Sequence, residues 1–301
     1  MNNQFGGGGG GYGAGAPAGG PMAPGQLDVG DVLRTTFRAM QGALGPVLGC
    51  ALIVAVPTMI TSFGIRVLVY MVLVGTGSGP PDMEALQRVA LVGSAAYLLS
   101  LGVLIVTGAV GQGGIMYAVA EHLSGRSPSF GTALRAGISR MVPVVLSSLI
   151  VTVVLVIGLF MCVLPGLVAF VFLCMTVPVC VVERLGPIDS ITRGVALSEG
   201  NRLPIVLAFL AMTVGLVVVS CCVMTPAIGL AAVQGASAAG SGDLRELYNP
   251  LSIQQIVSAL FQIPVMLVAT MANSTMIAVI YAKLRGLRDG VDAQAIASVF
   301  G

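Results

Sequence analysis

Charge divides this chain into long apolar blocks, and that division limits what it can fold into. Twenty-seven uncharged residues separate Arg38 from Arg66, and thirty-two separate Arg88 from Glu121. Further uncharged blocks run over 141–182, 203–242 and 247–282. A helix needs about 20 residues to cross roughly 30 Å of hydrocarbon at about 1.5 Å per residue, so each block can hold at least one crossing. Charged residues make up 9% of the 301-residue chain, too few to cover a water-facing surface, whereas soluble domains carry about 25%. The expected class is therefore all-α, a polytopic transmembrane helical bundle.

The breaks inside the blocks set the expected number of spans. Pro165-Gly166 near the middle of 141–182 reads as a tight turn between two crossings. In 203–242, Pro226, Gly229 and the Gly/Ser/Ala run after Val233 predict a helix that ends near 225, followed by a loop. The first apolar run continues past Arg66 to Val74, which predicts a long helix with the Arg66 head reaching toward water. The count is six spans. The domain plan is a Gly/Pro-rich disordered cytoplasmic tail over 1–26, a membrane domain over 27–295 and a short cytoplasmic tail over 296–301. Eleven of the first 25 residues are Gly, so that tail has almost nothing to bury against its chain entropy.

Lys and Arg give the orientation. With the amino end inside, eleven of the fourteen fall on the cytoplasmic side, and Arg66, Arg88 and Arg245 fall outside. Such a bias predicts a bacterial cytoplasmic (inner) membrane protein with both termini in the cytoplasm.

A degenerate element precedes spans one, three and five: Val29 to Arg34, Phe130 to Arg135, and Ile188 to Arg193. In each, an apolar residue leads through short polar positions to an arginine, and a proline (Pro46, Pro143, Pro204) opens the apolar run that follows. This pattern predicts three hairpins, each preceded by an amphipathic interfacial helix, with starts near Asp31, Thr132 and Asp189 or Ser190. Arg34, Arg135 and Arg193 become candidate contacts for lipid headgroups or anions.

Interior chemistry is sparse. The mid-span positions hold no Asp, Glu, Lys or His, which argues against a proton-coupled pump or a charged pore. Gln262 with Asn273, Ser274 and Thr275 forms the most concentrated candidate polar cluster. Gly102, Gly108, Gly111, Gly113 and Gly114 predict close helix approach along span two. The six cysteines form no CxxC pattern, and His122 has no second ligand nearby, so no metal or other cofactor is expected. A net charge of +2 gives no basic face for nucleic acid. Membrane lipids are the expected partners.

Some segments resemble a known family. They are Ser129 to Leu134, Leu164-Pro165-Gly166, Pro178 to Pro187 running into Ser190 and Gly194, and Tyr281 to Arg285 with Asp289-Gly290 and Asp292. Together they are similar to the membrane domain associated with glycerophosphoryl diester phosphodiesterases, and to stand-alone bacterial membrane proteins that share it. Ala282 and Val195 to Leu197 stand where that family commonly has aromatic residues. The chain has no room for the hydrolase domain, so the resemblance implies a membrane module and carries no catalytic residue with it. The functional expectation is a non-enzymatic, lipid- or partner-binding membrane module. The alternative is a transporter or channel for a neutral or amphipathic solute.

Overall fold

The computed structural model of the protein describes residues 27–75, 83–161, 170, 172–183, 185–241 and 249–289. The tails 1–26 and 296–301 and the Pro165-Gly166 turn lie outside the described residues. In chain order the helices are α1 Val29–Gly42, α2 Leu44–Val74, α3 Met83–Leu123, α4 Phe130–Ser139 and α5 Met141–Met161, followed by α6 Thr176–Val182, α7 Pro187–Ser198, α8 Arg202–Ser241 and α9 Ile253–Asp289. The protein is an all-α polytopic membrane bundle. Among the described residues, five helices (α2, α3, α5, α8 and α9) are long and apolar enough to cross a bilayer.

The repeated element is visible as three helices, α1, α4 and α7, each followed after a short break by a long apolar helix. Their starts differ from expectation by one turn. Asp28, Ser129 and Gly186 are the N-caps, so Asp31, Thr132 and Asp189 occupy the third helical position instead. Asp28 accepts the Gly30 amide at 2.9 Å, and the Ser129 hydroxyl accepts the Thr132 amide at 3.3 Å. Of the residues read as starts, Thr132 bonds back to its cap residue Ser129, whereas Asp31 pairs with Lys283.

Proline explains the breaks. Pro46, Pro143 and Pro204 each stand third in the helix that follows. The first turn tolerates proline because its amide has no intrahelical acceptor there. Within a continuous helix, however, the ring would clash with the carbonyl four residues earlier. Those positions are Gly42 and Ser139, the last residues of α1 and α4, and Gly200 in the break after α7. Proline at these positions therefore favours the break between each amphipathic helix and the apolar helix after it. Gly200 carries the third break at φ +81°, a left-handed conformation that costs glycine little.

Two expectations change. The helix predicted to stop near 225 continues through Pro226 to Ser241. Proline removes one backbone donor, yet leaving the helix altogether would strip hydrogen bonds from many amides in an apolar setting, which costs more. The segment expected to form the fourth span shows a turn at Cys174-Met175 followed by the seven residues of α6, while 162–169 and 171 lie outside the described residues.

The long helices differ in cover along their length. Where α2, α5 and α8 begin and α3 and α9 end, side chains are fully enclosed: Val47 and Cys50 of α2, Ile115 and Val119 of α3, Ile205 of α8, and Met276 and Ile280 of α9. α1, α4, α6 and α7 pack around this end, which is called the collar end below. Close approach there rests on glycine. A Cβ on Gly137 of α4 would lie 2.3 Å from the Val110 carbonyl oxygen of α3. Gly111, Gly113 and Gly114 also meet neighbours, as expected, whereas Gly102 and Gly108 have open space around them. Toward the opposite, open end the same helices expose Phe63 and Met71, then Leu98 and Leu99, then Val217 and Ile228.

Candidate functional site

At the collar end a polar latch joins helices far apart in sequence. Glu183, just after α6, is 13% exposed at its side chain and accepts two hydrogen bonds. One comes from Arg193 Nε of α7 at 3.1 Å, the other from the Tyr281 hydroxyl of α9 at 3.1 Å. Arg285, one turn beyond Tyr281, reaches the same hydroxyl at 3.4 Å. A carboxylate so enclosed is costly unless charge and hydrogen bonds compensate it, and here both do. Lys283 pairs with Asp31 of α1, and Arg288 reaches the Ala196 carbonyl and Glu199 beyond α7. Asn201 accepts the Leu27 amide at 2.9 Å, tying the approach to α1 to the break before α8. Arg202 at the head of α8 stacks its guanidinium 4.1 Å over the Phe172 ring.

The sequence-predicted arginines separate here. Arg34 and Arg135 are exposed on α1 and α4, each three residues before an exposed apolar side chain, Phe37 and Ile138. Arg193 is half-buried and committed to Glu183, so it serves the latch. Sequence reading passed over the latch itself. Its signals were Tyr281 and Arg285 at helical i, i+4 spacing and a lone Glu183 closing an apolar run. These residues belong to the segments that carry the family resemblance, and the structure brings Pro178–Pro187 and Tyr281–Arg285 together through them.

The polar residues of α9 do not form one cluster. Ser274 and Thr275 are buried in the collar end, while Asn273 points to the exposed side of the helix. Gln262, eleven residues earlier and roughly 16 Å along the helix, lines a separate cleft near the open end. That cleft, about 360 Å³, lies between Met59, Ser62, Phe63 and Arg66 of α2 and Gln255, Ile256, Ser258 and Gln262 of α9. Among the described residues, no group of three or more His, Cys, Asp or Glu side chains could hold a metal ion.

No protein-family model, curated protein or solved structure matches this chain. The family resemblance therefore rests on the quoted segments alone.

Proposed function

We infer that the chain is a non-enzymatic membrane module of the bacterial cytoplasmic membrane, holding lipid through its collar, with both termini in the cytoplasm. In this reading it crosses six times as three hairpins, and α1, α4 and α7 lie at the inner leaflet. Exposed Arg34 with exposed Phe37 on α1, and exposed Arg135 with exposed Ile138 on α4, is the observation that carries it. Aromatic and aliphatic side chains enter the acyl boundary while guanidinium groups meet phosphate, the usual chemistry of a helix lying in an anionic interface. The bias of Lys and Arg toward the collar end supports the orientation. The resemblance to the phosphodiesterase-associated membrane domain fits the same role. A solute carrier would need a route past the collar end, where Val179, Met276 and Ile280 are fully enclosed.

The test is the unfolding stability of the full chain in nanodiscs of phosphatidylglycerol or phosphatidylcholine. A cationic side chain near an anionic surface is worth about 1 kcal/mol, so Arg34→Gln with Arg135→Gln should remove about 2 kcal/mol of the phosphatidylglycerol-dependent stabilisation. Equal behaviour of wild type and double variant in both lipids would overturn the reading. For orientation, a cysteine replacing exposed Ser139 should resist an impermeant thiol reagent added outside intact cells, and one replacing exposed Met83 should react.

A further inference from the structure

The open-end cleft has a composition unlike its surroundings. On the neighbouring faces of α2 and α9 the exposed residues are Ile60, Leu68, Leu260 and Ile263. Arg66, Ser62, Gln255, Ser258 and Gln262 line the cleft together with Met59, Phe63 and Ile256, and among the described residues no acidic side chain lines it. Arg66 makes no ion pair among the described residues. Arg88 is the useful contrast: it also borders a cleft, with Met71 and Leu91, but it carries its own carboxylate, Glu84, at 2.6 Å. Reaching for water explains how α2 tolerates an arginine. It does not explain why α9 places two carboxamides along the same cleft.

Depth along the helices narrows the ligand. Arg66 stands twenty-two residues beyond Leu44, roughly 33 Å along α2. Gln262 stands twenty-one residues before Lys283, roughly 31 Å along α9. Both lengths match one hydrocarbon thickness of about 30 Å, so the two sides of the cleft meet at the level of the opposite headgroups. α9 begins at Ile253 beside the cleft, and the positive end of its dipole adds to the Arg66 charge. A volume of about 360 Å³ is at the small end of ligand sites, enough for a headgroup and not for two acyl chains. The chains would lie against the exposed apolar faces just described.

We propose that this cleft binds the headgroup of an anionic phospholipid in the leaflet opposite the collar, with Arg66 as its cationic contact and Ser62, Gln255 and Gln262 as hydrogen-bond partners. The site is separate from the collar arginines and stands or falls without them. The full chain in mild detergent, titrated with phosphatidylglycerol or phosphatidylcholine and read by native mass spectrometry, tests it. Wild type should prefer phosphatidylglycerol to phosphatidylcholine and hold one more phosphatidylglycerol than Arg66→Gln. Arg66→Gln should weaken that binding about tenfold, the loss of one charge-assisted hydrogen bond. Arg66→Lys should recover part of it, Gln262→Leu should weaken it a few-fold, and Arg88→Gln should leave it unchanged. Circular dichroism confirms that each variant is folded. If Arg66→Gln does not fold, the Arg66→Lys and Gln262→Leu results decide. Undiminished phosphatidylglycerol binding to Arg66→Gln, equal retention of the two lipids, or displacement of the lipid by millimolar inorganic phosphate would overturn the proposal.

Discussion

Met276 and Met71 are both methionines on long apolar helices, yet Met276 is 0% exposed and Met71 is 65% exposed. The same contrast runs through the molecule. At the collar end, long and short helices interlock over glycines and close a polar latch; at the open end the long helices show apolar faces outward. In a bilayer, lipid is as apolar as leucine, so hydrophobicity cannot choose which residues face protein. Close packing and hydrogen bonds choose, and the collar end holds most of both. Stability should therefore be concentrated there, with the open end free to meet lipid.

Substitutions can break or sharpen this division. The largest effect is expected from Gly137→Val, whose side chain would strike the Val110 carbonyl and force α4 off α3. A loss of about 3 kcal/mol or more, or failure to recover folded protein, is expected in thermal unfolding. Met276→Ala should cost about 2 kcal/mol, the low end for core truncation because lipid rather than water is the alternative surrounding. Glu183→Ala leaves Arg193 and Tyr281 without their acceptor and should cost about 2 kcal/mol, less than a fully buried pair because Arg193 is one-third exposed. A double-mutant cycle of Glu183→Gln with Tyr281→Phe should give a coupling of about 1 kcal/mol; strict additivity would mean that the latch does not hold α9. The smallest effects belong to the open end. Leu98→Ala, at a residue 67% exposed, should change unfolding by less than about 0.5 kcal/mol, and a loss like that of Met276 would erase the division between the two ends.

Much of this fold was legible in the sequence, since few charges and long uncharged blocks leave little besides membrane helices. The three amphipathic helices were legible too, because a polar cap, an arginine and a following proline have local causes. The end of α8 was misread, as Pro226 and Gly229 break helices in water far more readily than in lipid. The division of Gln262, Asn273, Ser274 and Thr275 among three environments was not legible from their closeness in sequence; it depends on helix rotation set by neighbours. Arg193 was assigned to lipid because its nearest neighbours in the chain looked interfacial. Its partner, Glu183, lies on another element, and only packing brings the two together. Arg66 was readable as a residue reaching for water, but the carboxamides that share its cleft come from a helix almost two hundred residues later.

The latch has a consequence in time. A ribosome makes Glu183 and Arg193 almost together, ten residues apart, so their ion pair can close at once. Tyr281 follows 98 residues after Glu183, a delay of about 5–20 s at typical synthesis rates. During that interval the earlier helices are inserted but not fastened, and the carboxylate retains an open acceptor. The newborn chain would then be most exposed to membrane proteases and insertion chaperones just before α9 arrives.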